Sequence, residues 1–235
     1  MPVYQLADDD YWFPSVFEAV NDPPGLLAVG GDLSVPRLLS AYQQGIFPWF
    51  SEQDPILWWA PSPRMVVCPE QVHVSKSMAK FLRKTHFNVT FDYAFERVVK
   101  ACGSIHRDGQ PSDDGWITPA MQQAYTQLYH AGYAHSVEVW DGGELVGGLY
   151  GLALGRMFFG ESMFSRADNA SKLAFVQLAR QLEKWDFVMI DCQMHTPHLA
   201  SLGASEIDMP KFQTYLQQNL HYGVDSAWEL VVKSN

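Results

Sequence analysis

Two apolar segments that carry isolated carboxylates constrain this chain more than any other feature. One runs from Met157 to Phe164 and contains Glu161, and the other runs from Phe187 to Gln193 and contains Asp191. Short apolar runs bounded by polar or turn residues predict buried strands. A carboxylate in such a strand is costly unless it is paired or used. The pattern therefore indicates either two acids that are hydrogen-bonded at strand ends or a site that uses both.

Side-chain alternation narrows the second of these interpretations. In a regular strand Asp191 and Gln193 share one face, and Cys192 lies on the other. We therefore expect a site built from Glu161, Asp191 and Gln193 and walled by Phe and Met side chains.

The composition favours a packed protein of one large or two smaller domains. Of the 235 residues, 47% are hydrophobic and 14% aromatic, which argues against disorder. No apolar run reaches the roughly 18–20 residues of a membrane-spanning helix, and the N-terminus lacks the pattern of a secretory signal. The cysteines, Cys68, Cys102 and Cys192, are too few and too scattered for a disulfide framework or a Cys-x-x-Cys metal site. We expect a cytoplasmic protein.

The net charge of −10 argues against general nucleic-acid binding, but its distribution is uneven. Between Val74 and Lys84 there are basic residues and no acid. Helical spacing puts these cations within an arc of roughly 100°, opposite Val74, Met78, Phe81 and Leu82. This predicts an amphipathic helix whose outer surface is either an ordinary solvated face or a phosphate-binding ridge. We call the four cations the basic face: Lys76, Lys80, Arg83 and Lys84.

The chain divides most naturally at Pro61-Ser62-Pro63. This predicts a small N-terminal α/β domain over residues 1–62 and a second domain over residues 63–235. In the second domain, Thr118 is predicted to cap a helix, and another helix is predicted from Ala170 to about Lys184. Three antiparallel strands are predicted at 136–140, 144–154 and from 157, followed by the strand from 187.

This order predicts an α+β fold with a mostly antiparallel sheet, and it resembles the core of the GCN5-related N-acetyltransferases. That fold usually holds coenzyme A on a glycine-containing loop that directs backbone N–H groups at the pyrophosphate. The equivalent stretch here, Phe164–Ala170, has no glycine and includes Asp168. We therefore expect a different acyl donor, with a coenzyme A-dependent N-acetyltransferase as the alternative.

The residues from Asp191 onward suggest two other chemistries. Cys192 and His195 could form a nucleophile and base, but no orienting acid or oxyanion hole is evident. His195, His198 and Asp191 are possible metal ligands, yet Pro197 makes a regular helix that would converge the two imidazoles unlikely. The expectation is a packed cysteine, loop histidines and no metal site.

Several local runs are similar to the signatures of the leucyl/phenylalanyl-tRNA–protein transferases. They extend in order from about residue 4 to residue 210. The N-terminal runs are Gly25–Ser34, Gly45–Ser51 and Ile56–Trp59, and the C-terminal ones are His135–Trp140, Gly160–Ser165, Asn169–Lys172, Ile190–Gln193 and Ser201–Ala204.

The resemblance implies a small N-terminal domain followed by an acetyltransferase-like domain that uses aminoacyl-tRNA in place of coenzyme A. Such enzymes transfer Leu or Phe, and sometimes Met, from tRNA to the N-terminal Arg or Lys of a protein, which marks that protein for N-degron degradation. No metal or organic cofactor is implied, and a monomer is the default. A non-catalytic RNA-binding or adaptor protein is a third alternative.

The resemblance also implies roles for particular residues. Asp191 and Gln193 are the catalytic pair: Asp191 would hold or relay the amine proton, and Gln193 would position the amine or the carbonyl. Glu161 would orient the aminoacyl end. Trp49 and Trp116 would stack on the terminal adenosine, and the basic face would meet the acceptor stem. The implied aminoacyl pocket consists of Tyr125, Leu149, Phe158, Phe175, Leu178 and Ile190. The better-known family pattern has Met, Leu and Phe at positions 149, 175 and 178, so we expect a repacked pocket wall. Because one methylene is worth only about 1–3 kcal/mol in such a pocket, discrimination among donors should be graded.

Overall fold

A computed structural model describes residues 3–104, 117–223 and 227–232. The N-terminal part forms a four-stranded sheet in the order β1-β2-β4-β3, with only β1 and β2 parallel. A short 3₁₀ turn at Val16–Glu18 precedes β2. The strands and helix of this part are β1 (Tyr4–Leu6), β2 (Leu26–Gly30), α1 (Val35–Gln43), β3 (Phe47–Pro48) and β4 (Leu57–Trp59).

Helix α1 lies where Ser34 and Pro36 predict a helix start. Its buried side contains Leu38, Ala41 and Tyr42, each of which has no exposed surface. The Tyr42 hydroxyl contacts Tyr125 and Glu161, so this side chain points toward the second part of the chain.

The second part is built on an eight-stranded sheet in the order β11-β5-β10-β9-β8-β7-β6-β12. All neighbours are antiparallel except β9 and β10. The strands are β5 (Arg64–Val67), β6 (Asn88–Phe91), β7 (Ala134–Asp141), β8 (Glu144–Leu154), β9 (Met157–Ser165), β10 (Met189–Gln193), β11 (Ser205–Ile207) and β12 (Leu230–Val232).

Helices connect these strands and cover the sheet. A 3₁₀ turn at Pro69–Gln71 follows β5. The α-helices are α2 (Lys76–Lys84), α3 (Phe95–Gly103), α4 (Pro119–His130), α5 (Ala170–Lys184), α6 (Pro197–Ser201) and α7 (Met209–Asn219). Small residues in β8 permit close packing: a Cβ on Gly147 would lie 2.5 Å from the Cβ of Ala170 at the start of α5.

The parallel pairing of β9 and β10 ends before either strand does, and the site lies next to that point. Their parallel pairing extends from Met189 opposite Met157 to Asp191 opposite Phe159. Beyond that point β10 is irregular, with a bulge against β5 between Asp191 and Gln193. Side chains from the unpaired ends of both strands border a common cavity.

The predicted α+β class with a mostly antiparallel sheet is confirmed, and so are the two long helices and three central strands. The prediction that Pro197 prevents a regular helix is wrong for the residues that follow it, but His195 lies before this helix, so no helix brings it together with His198. Helix α6 begins at that proline, because the first helical position needs no N–H donor and Thr196 caps the helix by accepting a bond from the Leu199 N–H at 3.1 Å. Strands β5, β11 and β12 of the large sheet were not predicted, and neither were the four strands of the N-terminal sheet. Among the described helices, none has the length and apolarity required to cross a membrane.

Candidate active site

A cavity of about 410 Å³ lies where the pairing of β9 and β10 ends. Its wall includes five of the six residues predicted for the aminoacyl pocket: Leu149, Phe158, Phe175, Leu178 and Ile190. The sixth, Tyr125, lies behind the wall and is fully buried. Trp49, Glu161 and Gln193 also border the cavity, so one space has an apolar side and a polar side.

Glu161 is the centre of the polar side. Its Oε1 accepts hydrogen bonds from the Tyr42 hydroxyl at 2.7 Å and from Gln193 Nε2 at 2.9 Å, and its Oε2 accepts one from the Tyr125 hydroxyl at 2.7 Å. The two tyrosine oxygens are themselves 2.5 Å apart. Burial raises the pKa of Glu161 to about 7, although the hydrogen bonds from Tyr42, Tyr125 and Gln193 act in the opposite direction.

Asp191 lies under this group and is held by Arg64. Arg64 Nε and Nη2 donate to the two carboxylate oxygens at 2.8 and 2.7 Å, and both side chains have no exposed surface. The guanidinium carbon is 4.8 Å from the ring centres of Phe47 in β3 and Phe212 in α7. The bidentate pair gives the carboxylate a fixed orientation.

The prediction that Asp191 and Gln193 share a strand face is wrong. Cys192 and Gln193 line the cavity, whereas Asp191 points toward Arg64. The reason is the bulge: Gln193 has φ of +64°, a left-handed conformation that breaks the alternation. Asp191 Oδ1 supports this turn by accepting the Gln193 N–H at 2.9 Å.

The residues after Asp191 do not form the alternative sites. Burial, together with the nearby Asp191, raises the pKa of the Cys192 thiol, so the thiolate that a nucleophile needs is disfavoured. Within the described residues, no group of three His, Cys, Asp or Glu side chains has the geometry to hold a metal. His198 borders the cavity, and its burial and the charge of Lys172 lower its pKa.

The predicted RNA contacts lie outside this polar centre. Trp49 borders the cavity and packs edge-on against Trp59, with 5.5 Å between the rings. Trp116 falls outside the described residues. Helix α2 is amphipathic as predicted: Ser75 caps it by accepting the Met78 N–H, Met78 is buried, and all four residues of the basic face are exposed.

The start of α5 differs from a pyrophosphate-binding turn. Asn169, the residue before the helix, has φ of +64°. The Ser171 N–H donates to the Ser165 hydroxyl at 3.2 Å, and the Ala170 N–H donates to the Ala167 carbonyl at 3.1 Å. Protein groups therefore take up N–H donors that a phosphate would need.

Two site residues were missed entirely from the sequence, namely Tyr42 and Arg64. In the sequence, Tyr42 resembles a core residue because it lies on the apolar face of a helix. Arg64 resembles a domain-boundary residue because it follows a Pro-Ser-Pro turn. A buried Arg is rare unless it is paired, but its burial was not evident from the local sequence.

Comparison with known proteins gives a consistent result. The family model described as leucyl/phenylalanyl-tRNA protein transferase matches residues 66–217, and the model for the N-terminal domain of the same transferase matches residues 31–62. Curated relatives called leucyl/phenylalanyl-tRNA–protein transferase include one from Pseudomonas fluorescens strain Pf-5, which is 56% identical over 92% of this chain and 94% of its own.

Another relative with that name, from Nitrosospira multiformis, is 57% identical over 91% of this chain and 90% of its own. A solved GCN5-related N-acetyltransferase from Kribbella flavida aligns with 72% of this chain and 59% of its own at 11% identity and a TM-score of 0.39, a likeness too low to bear on function. The family models and the extensive identity to curated relatives, taken with a cavity that joins an apolar wall to a carboxylate and an amide, lead to one conclusion: the chain belongs to the leucyl/phenylalanyl-tRNA–protein transferase family.

Proposed function

We propose that this protein transfers leucine or phenylalanine from aminoacyl-tRNA to the N-terminal α-amine of acceptor proteins that begin with Arg or Lys. The observation that carries the proposal is the juxtaposition, in one cavity, of an apolar wall and the Glu161–Gln193 pair. The first suits the aminoacyl side chain, and the second suits a cationic acceptor.

The apolar side is matched to a donor of moderate size. Leu149, Phe158, Phe175, Leu178 and Ile190 are each at most 4% exposed, so a side chain packed against them is removed from water. One methylene in such a pocket changes binding by only about 1–3 kcal/mol. Discrimination among Leu, Phe and Met donors should therefore be graded.

The amide of Gln193 is oriented for the acceptor. Because its Nε2 donates to Glu161, its Oε1 remains to accept an N–H from the incoming amine. Asp191 supports this arrangement from below by holding the Gln193 backbone N–H. These contacts favour positioning of the attacking nitrogen as the main contribution of the pair.

The tRNA would be held by stacking and by phosphate contacts. Trp49 at the cavity edge would stack on the terminal adenosine, for about 1–3 kcal/mol. Trp116 stays a predicted second stacking residue for the same adenosine. The basic face would bind acceptor-stem phosphates, largely without sequence preference. Arg83 also borders a groove with Arg180 and Lys184 of α5, which extends the positive surface despite Glu183 at its edge.

The proposed reaction needs neither a metal ion nor coenzyme A. The alternative, coenzyme A-dependent acetyl transfer, is disfavoured by the side-chain and carbonyl groups that take up the N–H donors at the start of α5. We infer further that the modified proteins enter N-degron degradation in the cytoplasm and that the enzyme acts as a monomer.

A mass-spectrometric assay tests the proposal. The protein is mixed with Leu-tRNA carrying labelled leucine and with a peptide that begins with Arg. We expect the peptide to gain one leucine, and we expect no gain with RNase or with a peptide that begins with Asp. Asp191→Ala should lose turnover and keep tRNA binding, which separates an enzyme from an adaptor. Absence of transfer from Leu, Phe and Met donors would refute the proposal, and acetyl-CoA would be tested next.

A further inference from the structure

The proposed reaction requires a proton acceptor. An N-terminal α-amine has a pKa near 8, so at neutral pH most of it is ammonium and has no lone pair for attack. One proton must leave the nitrogen before the new bond forms. Within the part of the chain that the structure describes, Asp191 and Glu161 are the carboxylates at this site, and their surroundings differ.

Asp191 is not positioned to meet the amine. Both of its oxygens are occupied by Arg64, and Oδ1 also accepts the Gln193 N–H. Its side chain has no exposed surface, and among the described residues that line the cavity it is absent. An amine in the cavity would have to displace Gln193 to reach it.

Glu161 has the opposite arrangement. It borders the cavity directly, beside the Gln193 amide that would receive the acceptor. Its two oxygens and the two tyrosine hydroxyls form a closed circuit of three short contacts, of 2.7, 2.7 and 2.5 Å. The carboxyl is therefore both accessible to substrate and connected to a polar network behind it.

The number of protons in this circuit is informative. Each tyrosine hydroxyl supplies one hydrogen, so two tyrosines can satisfy only two of the three contacts. The third contact requires a hydrogen from the carboxyl itself. When Glu161 is protonated, all three contacts can be hydrogen bonds. When it is ionised, both hydroxyls donate to it and the contact between Tyr42 and Tyr125 has no hydrogen. The network thus accommodates both states of Glu161.

The charged groups around Glu161 agree with this two-state behaviour. Tyr42 of α1, Tyr125 of α4 and Gln193 of β10 donate to it and lower its pKa, whereas burial and the charge of Asp191 raise it. Tyr150 of β8 lies near both tyrosines. The resulting pKa of about 7 is close to the value that a general base needs at neutral pH.

We propose that Glu161 is the catalytic base that takes the proton from the acceptor's α-ammonium, with Tyr42, Tyr125 and Asp191 as positioning residues. This inference rests on the proposed transferase function. Tyr42 belongs to the N-terminal sheet-and-helix part of the chain, so both parts contribute to the base.

The step balances without any further reactant. The ammonium gives one proton to the Glu161 carboxylate, and the freed lone pair forms the C–N bond to the aminoacyl carbonyl. The bond between that carbonyl carbon and the ribose 3′ oxygen breaks with its electron pair on oxygen. The second proton lost by the nitrogen ends on this oxygen, and the proton on Glu161 returns to solvent.

The first test is the pH dependence of kcat at saturating acceptor peptide. Wild-type kcat should rise with pH through a limb near 7. Glu161→Gln, whose amide can replace a protonated carboxyl in the circuit, should lose the limb near 7, keep only the rise near pH 8 that the acceptor amine itself produces, and lose roughly 100-fold or more in rate at pH 7. Asp191→Asn should be slower but keep a limb at or below the wild-type position, because it removes a charge that raises the pKa of Glu161. The proposal is overturned if Glu161→Gln keeps the limb near 7, whatever Asp191→Asn does.

A second variant gives a shift that a purely structural role would not produce. Tyr125→Phe removes a hydrogen bond that stabilises the ionised carboxyl, so the limb should move upward by roughly one pH unit. An unchanged limb with a reduced rate would argue against the proposal.

A direct titration separates failure of this inference from failure of the proposed function. Carbon-13 NMR of wild-type protein labelled at glutamate Cδ should show one carboxyl with a midpoint near 7, assigned by its loss in Glu161→Gln or its displacement in Tyr125→Phe. A midpoint below 5 would overturn the inference even if transfer is observed. A midpoint near 7 without transfer from any aminoacyl-tRNA would refute the proposed function, and with it the role of Glu161 as the base of this reaction, although its raised pKa would be confirmed.

Discussion

Replacing Arg64 by methionine tests the energetic role of the ion pair beneath the site. Methionine keeps a flexible apolar stem between Phe47 and Phe212 but removes the cation that holds Asp191. The carboxylate would stay fully buried with only the Gln193 N–H as a donor. Breaking a buried pair in this way costs about 3–5 kcal/mol in the free energy of unfolding. For a chain of this size each kcal/mol corresponds to roughly 2–4 °C, so the melting temperature should fall by about 6–20 °C.

The assay is urea denaturation followed by tryptophan fluorescence, with the single variants Arg64→Met and Asp191→Asn and the double variant. Because the double variant leaves no unpaired charge, it should be destabilised by about 1–3 kcal/mol less than the sum of the single effects. Arg83→Met is the matched control, since this arginine is exposed and its loss should change stability by no more than about 0.5 kcal/mol. Additive single effects, or an Arg64→Met cost close to that of the control, would refute the reasoning.

Three further outcomes are expected. Replacing all four residues of the basic face by Ala should weaken tRNA binding and reduce the slope of log K against log salt by about 3, as measured by filter binding across salt concentrations; an unchanged slope would exclude the face as the phosphate site. The native state holds the Glu161 proton up to about pH 7, whereas the unfolded chain releases it near pH 4.5. Wild-type stability should therefore fall as pH rises from about 4.5 to 7. As pH rises from 5 to 8, the free energy of unfolding of Glu161→Gln should therefore increase by roughly 3 kcal/mol relative to that of wild type in chemical denaturation. A difference that does not change with pH would contradict the raised pKa. Gly151→Ala should destabilise by about 1–3 kcal/mol or more, because its Cβ would lie 2.2 Å from the Phe159 carbonyl oxygen, whereas Gly223→Ala, with nothing within 4 Å, should be neutral in thermal melts.

Features determined by local signals could be predicted from the sequence. Thr118 followed by Pro119 marks the start of α4, and the Thr118 hydroxyl accepts the Met121 N–H at 3.2 Å. The strand predicted at 144–154 and the helix predicted from Ala170 to Lys184 have the bounds observed for β8 and α5. In these cases periodicity and end signals agree with the tertiary packing.

The parts of the site that depend on distant residues could not be predicted. Arg64 and Asp191 are 127 positions apart, and nothing near Arg64 in the chain indicates its partner. The short strand β5 was missed because a Pro-Ser-Pro turn next to it suggested a boundary. The bulge at Gln193 was missed for a related reason, since its left-handed φ is stabilised by the Asp191 side chain and is not required by residue type.

The packing of Arg64 between Phe47 and Phe212 has a consequence for folding during translation. Phe47 leaves the ribosome well before Phe212, which lies on the other side of the guanidinium. Domains generally fold as they emerge, starting from the N-terminus. The first sheet can form during translation, but the packing around Arg64 and Asp191 is complete only after α7 has emerged. A nascent chain that is stalled before α7 emerges would carry every proposed catalytic side chain and still lack a finished site.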